Sequence, residues 1–363
     1  MHIGLIIYGN PATLTGGYIY DRILVDHIRQ RGHQVEIISL PHRSYAFHLL
    51  ENFSGRLIME TASRQFDLLL QDELCHPSLC LLNRRLRKKA HCPVVAVVHQ
   101  VLCRQPRSPM QNRIYETVER AYFNSIDAFI FNSRTTRRSV ENLLAGRRPS
   151  VVAFPAGDRL NCPAAPEEIE ARALAPGPLR LIFVGNVLPN KGLLPLIRDL
   201  SELPADAWHL TVAGSLEMDC RYARKVQKAV STQNIKNQVS LAGPVDGPDL
   251  TSLLNRSHVF VMPYSHESFG MAHLEAMGVG LPVIGSSSGA VKEFVQPEQN
   301  GFLIDPGDAA ATVDCLKRLH RDRQLLINMS LAALQTFQER PGWNETMAVV
   351  YRFLSDLADK KPV

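Results

Sequence analysis

Residues 263–278 read Pro-Tyr-Ser-His-Glu-Ser-Phe-Gly-Met-Ala-His-Leu-Glu-Ala-Met-Gly and place two carboxylates, Glu267 and Glu275, eight positions apart. The apolar run at 258–262 predicts a strand, and a helical pattern begins near Phe269, so Glu267 lies in the loop and Glu275 about two turns further on. A carboxylate accepts hydrogen bonds from vicinal hydroxyls, and the free N–H groups of a helix N-terminus favour phosphate oxygens. The stretch therefore predicts a site for a sugar nucleotide.

A simpler interpretation is an amphipathic helix with a solvated Glu275 and a capping Glu267. It leaves unexplained why Gly270 and Gly278 bracket so apolar a helix. The two glutamates, with Pro-Tyr before them, Ser-Phe-Gly between them and Glu-Ala-Met-Gly at the end, resemble the signature of the family 4 retaining glycosyltransferases of GT-B fold. The resemblance implies two Rossmann-like, doubly wound α/β domains that face each other across a cleft, with a nucleoside diphosphate sugar as donor.

Length and composition independently favour two ordinary globular domains. The chain has 363 residues, of which 45% are hydrophobic and 21% charged, and this length allows each of two domains its own core. No apolar run approaches the roughly 20 residues of a membrane-spanning helix. The seven cysteines are scattered without metal-ligand spacing, which predicts reduced, mostly buried thiols in a cytoplasmic protein.

The positive charge is concentrated in the first half of the chain. Residues 1–150 hold 20 Lys and Arg against 12 Asp and Glu, whereas residues 151–363 hold 20 against 23. The excess includes the run Arg84-Arg85-Leu86-Arg87-Lys88-Lys89. It is consistent either with solvated helix faces or with attraction to an anionic lipid or phosphorylated acceptor.

Twelve short apolar runs, separated mostly by helical patterns, predict two parallel sheets covered on both faces. They lie at 2–8, 35–40, 66–71, 93–99, 127–132 and 151–154, and at 179–184, 209–213, 239–242, 258–262, 282–285 and 302–304. We predict an N-terminal acceptor-binding domain at 1–165 and a nucleotide-sugar-binding domain at 179–342. Residues 161–178, rich in proline and alanine, are interpreted as an interdomain linker. The resemblance implies that the final helix, within 343–363, crosses back to the first domain.

Two loops that follow strands carry candidate phosphate-binding groups. Gly16 and Gly17, after the first strand, let a diphosphate or an acceptor approach the backbone at a helix N-terminus, although a flexible turn is the alternative. Lys191, in the loop at 185–192, is a candidate to neutralise a departing nucleoside diphosphate. Asn186 occupies the position at which the family usually has an arginine. The diphosphate is therefore expected to be bound either more weakly or by another arginine.

His99 ends a strand and is predicted to emerge at the cleft, where a neutral imidazole can bond to a sugar hydroxyl; the alternative is a partner for a backbone carbonyl. Gly214, Gly243 and Val245 end strands at the same edge and are predicted to frame the nucleobase. The chain contains neither a dinucleotide-binding Gly-x-Gly-x-x-Gly motif after a strand nor a Walker motif nor Asp-x-Asp, so no cofactor and no metal ion is expected.

These observations favour a metal-independent, retaining hexosyltransferase that uses a UDP-sugar rather than a GDP-sugar and a hydroxyl acceptor. Glu267 is assigned to the donor sugar and, by the resemblance, Glu275 to the ribose. Backbone donors of Ser268, Phe269, Gly270 and Met271 are assigned to sugar and phosphate. We expect an anionic or lipid-linked acceptor, peripheral contact with the inner membrane face and no nucleic-acid partner. The alternatives are a sugar-nucleotide epimerase of the same architecture and a catalytically silent partner subunit, which Asn186 favours.

Overall fold

A computed structural model describes residues 1–90, 92–160 and 164–359 of the chain. It contains two compact units, the first formed by Met1–Pro155 together with the segment from Trp343 onward, and the second by Ala156–Gly342. Each unit is built on one six-stranded sheet in which all neighbouring strands are parallel.

The sheet of the first unit has the strand order β2-β1-β3-β4-β5-β6. Its strands are β1 (His2–Tyr8), β2 (Gln34–Leu40), β3 (Leu68–Asp72), β4 (Val94–Val98), β5 (Ala128–Phe131) and β6 (Ser150–Val152). The helices up to β6 are α1 (Gly16–Gln30), α2 (Tyr45–Leu50), α3 (Gly55–Ser63), α4 (His76–Leu79), α5 (Leu82–Ala90), α6 (Pro109–Phe123) and α7 (Arg134–Glu141). Every residue of β3, β4 and β5 is buried, as expected for central strands covered on both faces.

The sheet of the second unit has the order β12-β11-β10-β7-β8-β9. Its strands are β7 (Leu179–Val184), β8 (Trp208–Ala213), β9 (Val239–Gly243), β10 (Val259–Met262), β11 (Val283–Ser286) and β12 (Gly301–Ile304). Its helices are α8 (Pro166–Leu174), α9 (Leu193–Leu200), α10 (Cys220–Thr232), α11 (Gly247–Asn255), α12 (Met271–Gly278), α13 (Ala309–Arg321) and α14 (Arg323–Gln338). Because the strands are parallel, the loops that follow them gather at one edge of each sheet, where ligands of such folds bind.

The last helix, α15 (Trp343–Asp359), belongs to the first unit. Its Thr346 hydroxyl donates to the carbonyl of Phe154 at 2.9 Å, and Tyr351 bonds to His33 at 2.9 Å. Buried Met347 and Val350 lie on its inner side.

All twelve predicted strands are confirmed, with ends displaced by at most two residues. The linker at 161–178 is wrong in part, because residues 166–174 form α8. Pro166 occupies the first turn, where its missing N–H costs nothing, and Ile169 is fully buried. Residues 161–163, including Cys162, lie outside the described residues, as do 91 and 360–363.

The remaining cysteines are free thiols, and all of them except Cys220 are buried. No helix in the described part of the chain is long and apolar enough to cross a membrane.

Candidate active site

The loop between β10 and α12 carries the first predicted carboxylate. Gly270 adopts φ +95°, a conformation that side chains disfavour, so the helix begins at Met271, two residues later than the sequence predicted. Phe269 is buried against Phe294, with ring centroids 5.4 Å apart. The backbone of Glu267 is fixed by the N–H of Ala290, which donates to its carbonyl at 2.8 Å.

Glu267 and Lys191 form an ion pair in the second unit. Lys191 ends a short 3-10 helix after β7, and its Nζ lies 2.6 Å from Oε1 of Glu267. Burial alone would raise the pKa of Glu267, but the adjacent ammonium outweighs it and the pKa lies below its usual value. Gly192, at φ +72°, lets the backbone next to Lys191 lie directly against Tyr264, since a Cβ there would lie 2.5 Å from Cβ of Tyr264.

Glu275 is paired with an arginine that the sequence analysis did not identify. It lies in the second turn of α12 and is 5% exposed, which excludes the solvated helix face. Its Oε1 accepts a hydrogen bond from Nε of Arg159 at 2.9 Å, and Nη1 of Arg159 also bonds to Asp246. Burial raises the pKa of Glu275 and Arg159 opposes that rise. Arg159 belongs to no recognisable motif and lies 116 positions from its partner, so no signal in the sequence could have found it.

His99, in the first unit, lies directly after β4 in a buried cluster of acidic groups. Its Nε2 is 2.9 Å from Oδ1 of Asp21, and its backbone N–H donates to Oε2 of Glu73 at 2.6 Å. Burial acts to lower the pKa of His99, but the surrounding carboxylates, Asp21 foremost, raise it to about 10. The raised pKa favours a protonated imidazole at neutral pH, whereas the sequence analysis considered a neutral ring.

The same cluster shifts the neighbouring acids. Burial, with Asp21 nearby, raises the pKa of Asp72 to about 7, and burial with Asp72 nearby raises that of Glu73 well above its ordinary value. One oxygen each of Asp21, Asp72 and Glu73 has no hydrogen-bond partner among the described residues. Ligand atoms of Asp21, Asp72 and His99 lie within 4.8 Å of one another, so these three residues form a group that could hold a metal ion. Metal independence stays a prediction.

The glycine loop of the first unit reaches this cluster. Gly16 begins α1, which the side chain of Thr15 caps by accepting from the N–H of Tyr18. A Cβ on Gly17 would lie 3.2 Å from the ring of His99, a tight contact, so the glycine lets the helix pass close to the ring without displacing it. The structure thus brings Gly17 and His99 together.

The remaining predicted residues lie at the ends of β7, β8 and β9. Oδ1 of Asn186 accepts the N–H of Ser215 at 3.2 Å, and a Cβ on Gly214 would overlap the carbonyl of Gly185. Asn186 therefore links two loops. Gly243 has φ +74°, and Val245, in the following loop, is half-buried. Along with Ser268 and Met271, which are also half-buried, these residues follow strands at one edge of the second sheet.

Two family models match the chain in succession. Residues 26–157 match the glycosyl transferase 4-like domain, and residues 165–336 match the family described as glycosyl transferases group 1. A D-inositol 3-phosphate glycosyltransferase of Pseudarthrobacter chlorophenolicus is 29% identical over 178 residues, which are 48% of this chain and 42% of the relative. An uncharacterized glycosyltransferase of Methanocaldococcus jannaschii is 34% identical over 45% of this chain and 41% of its own. The chain thus spans about half the length of the curated relatives it matches.

Solved structures match over nearly the whole chain. Sucrose-phosphate synthase from Thermosynechococcus elongatus has a TM-score of 0.83 at 19% identity, covering 98% of both chains. Anabaena HepE, in complex with UDP-glucose, has a TM-score of 0.77 at 17% identity and covers 98% of this chain and all of its own. These similarities establish a GT-B fold.

Proposed function

We propose that this chain, which belongs to the glycosyl transferases group 1 family, transfers a hexose with retention from a nucleoside diphosphate sugar to a hydroxyl acceptor. The observation that carries the proposal is the pair of carboxylates flanking the start of α12, each already bonded to a basic side chain. Carboxylates oriented in this way accept hydrogen bonds from hydroxyls, and the first turn of α12 offers backbone donors to phosphate.

In the proposed reaction Glu267 orients the donor sugar and Lys191 stabilises the leaving diphosphate. Negative charge accumulates on the diphosphate as the glycosidic bond breaks, so a fixed ammonium stabilises the transition state more than the bound donor. The leaving phosphate oxygen takes the acceptor proton, and no general base is assigned. Backbone donors of Ser268, Phe269, Gly270 and Met271 bind sugar and phosphate, and Glu275 binds the ribose.

For the first unit we propose that His99 bonds to a sugar hydroxyl and that Gly16 and Gly17 bind an anionic group. A charged imidazole is a donor at both ring nitrogens, and Asp21 occupies only Nε2. Gly214, Gly243 and Val245 are proposed to frame the base. UDP is favoured because the similar HepE structures contain UDP and UDP-glucose. No metal ion is proposed, since Lys191 and the start of α12 supply positive potential.

A thermal-shift screen with UDP, GDP and their sugars tests this proposal, because a ligand that binds only the folded protein raises its melting temperature. We expect a shift with UDP or a UDP-sugar, slow hydrolysis of the donor, and loss of hydrolysis in Glu267→Gln. Absence of both binding and hydrolysis across the panel would contradict the proposal. Epimerised donor in the absence of acceptor would indicate an epimerase, and binding without turnover would indicate a silent partner.

We further propose that the acceptor is lipid-linked and that the first unit binds an anionic membrane through one face, defined by Leu50, Phe53, Leu81, Arg84 and Arg85. The three apolar side chains are 63%, 73% and 46% exposed. Exposed apolar groups beside basic ones are typical of surfaces that bind acidic lipids.

The buried side chain of Asn52 places these residues side by side. Its Oδ1 accepts the N–H groups of Leu81 and Leu82 at 2.8 and 3.2 Å, which joins the turn at 50–53 to the start of α5. Arg84 and Arg85, both exposed, lie in the first turn of α5, which Leu81 directly precedes.

Co-sedimentation with phosphatidylglycerol and phosphatidylcholine vesicles tests this face. We expect salt-sensitive binding to the anionic vesicles only, weakened about tenfold or more by Leu50→Ser with Phe53→Ser and by Arg84→Glu with Arg85→Glu. Met218→Ser, which changes an exposed apolar residue of the second unit, is the matched control. If the wild-type protein does not bind anionic vesicles, or if it dimerises through this face, the membrane proposal is contradicted. The proposal about the donor would be unaffected.

A further inference from the structure

Arg159 connects Glu275 to the loop that follows β9. It lies in the 3-10 helix Asp158–Leu160, and its guanidinium bonds to Glu275 through Nε and to Asp246 through Nη1. Asp246 immediately follows Val245, in the loop proposed to frame the base. One side chain therefore joins the proposed ribose carboxylate to the proposed base loop.

Close packing holds Arg159 in this place. A Cβ on Gly157 would lie 3.1 Å from the backbone of Leu274 and 2.8 Å from the ring of Phe337, so the segment before Arg159 lies directly against α12. The side chain of Arg159 is 21% exposed. With two carboxylates bonded to different nitrogens, the planar guanidinium has a defined orientation.

Arg159 uses only one oxygen of Glu275. Oε1 accepts the Nε–H bond, and within residues 1–90, 92–160 and 164–359 no hydrogen bond is made to Oε2. Burial raises the pKa of Glu275, and the guanidinium is the positive group that counters it. A carboxylate held in this way offers Oε2 as an acceptor, whereas a protonated and unanchored carboxyl would bind hydroxyls with less selectivity.

We infer that Arg159 is a positioning residue that holds Glu275 ionised and oriented, so that the site selects ribonucleoside diphosphates over deoxyribonucleoside diphosphates. The inference rests on the proposed function. Arg159 is not expected to touch the ligand, and its effect passes through Glu275.

The test measures binding of UDP and of 2′,3′-dideoxy-UDP to wild type, Arg159→Gln and Arg159→Lys by calorimetry. We expect wild type to bind UDP about tenfold more tightly than the dideoxy compound, since a hydroxyl bonded to a charged group contributes about that much. Arg159→Gln should lose most of that preference by weakening UDP alone, and Arg159→Lys should retain part of it. A merely structural role would weaken both ligands equally.

Arg159→Gln leaves a buried carboxyl without its partner and could therefore impair folding. A second comparison distinguishes impaired folding from the proposed effect on Glu275. Glu275→Gln and the double variant Arg159→Gln/Glu275→Gln both lack the charge on residue 275, and we expect them to bind UDP equally. A further loss in the double variant would overturn the inference, because Arg159 would then act independently of Glu275. Wild type that binds both compounds equally would also overturn it while leaving the proposed function intact, whereas wild type that binds neither UDP nor GDP would refute the proposed function itself.

Discussion

At the residue scale, the candidate site consists of charges that compensate one another in buried surroundings. Glu267 and Glu275 are both largely removed from water, and each has one basic partner. A buried ion pair contributes little net stability, but removing one partner is costly because the other charge remains. A substitution that removes one charge of a pair is therefore expected to lower stability as well as activity. The two effects can be separated only by comparison with a variant in which the partner's charge is removed too.

Lys191→Met should reduce kcat about 100-fold to 1,000-fold, because the fixed charge opposite the leaving group is lost. KM for the donor should change less, since the ammonium acts mainly in the transition state. Steady-state kinetics with the donor identified by the thermal-shift screen give both constants. Lys228→Met, which removes an exposed lysine of α10, is the control and should be neutral. Equal kcat in the two variants would exclude Lys191 from leaving-group stabilisation.

Asp21→Asn should return the titration of His99 toward neutrality. In wild type the carboxylates hold the pKa of His99 at about 10, with Asp21 at 2.9 Å as the main cause. NMR of the imidazole should show a ring that stays protonated to about pH 9 in wild type and titrates at a lower pH in the variant. Adding Zn²⁺ to EDTA-treated protein tests whether His99 and its acidic neighbours bind a metal ion, because a metal bound to the ring would displace its proton.

At the element scale, the loop after β10 depends on the loop after β11. Residues 267 and 289 form a parallel bridge, and the N–H of Ala290 donates to the carbonyl of Glu267. Gly289 has φ +96°, and a Cβ there would overlap the carbonyl oxygen of Glu267. The position of the donor carboxylate is therefore set by a glycine 22 residues later in the chain.

Gly289→Ala should weaken donor binding at least tenfold and destabilise the protein by about 2 kcal/mol or more, since it adds both backbone strain and a clash. Gly307→Ala is the matched control: φ is +94°, but nothing lies within 4 Å of the added Cβ, so it carries the strain alone. Chemical denaturation and donor titration of both variants separate the two effects. Similar donor affinities would show that Glu267 does not depend on this contact.

The elements themselves were predictable, whereas the contacts between them were not. A strand such as Val94–Val98 is buried on both sides, and the resulting continuous apolar run is visible in sequence. The start of α12 was missed because it depends on the φ angle of Gly270, and α8 was missed because its single buried stripe is short. Asp21 and Arg159 find their partners 78 and 116 positions away, and no local pattern encodes such distances.

At the scale of the whole molecule, two sets of buried titratable groups, one in each unit, should respond oppositely to acid. In the first unit burial raises the pKa of Asp72 to about 7, and the acidic cluster raises that of His99 to about 10. Groups with raised pKa values stabilise the folded state at low pH and lose that contribution as pH rises. Acidification from pH 8 toward 5.5 should therefore stabilise the cluster around His99.

In the second unit burial lowers the pKa of His258 to about 3 and that of His273 to about 4. Both imidazoles are neutral in the folded and unfolded states above pH 6.5, so their contribution to stability is fully present there. Below that pH only the unfolded chain takes up the protons, and each histidine costs the folded state about 1.4 kcal/mol per pH unit. The surroundings of these two histidines should therefore lose stability over the range in which the cluster around His99 gains it.

Hydrogen exchange at pH 7.5 and 5.5, corrected for the intrinsic rate, measures this divergence. Acid should increase protection of β3 and β4 and decrease protection of β7 and β10. Two variants assign the causes. Asp72→Asn, which mimics the protonated acid, should remove the part of the gain in the first unit that Asp72 contributes, and His258→Gln, which cannot be protonated, should reduce the loss around His258 by about 1 kcal/mol at pH 5.5. Parallel changes in both units, unaffected by either variant, would show that these buried groups do not govern the acid response.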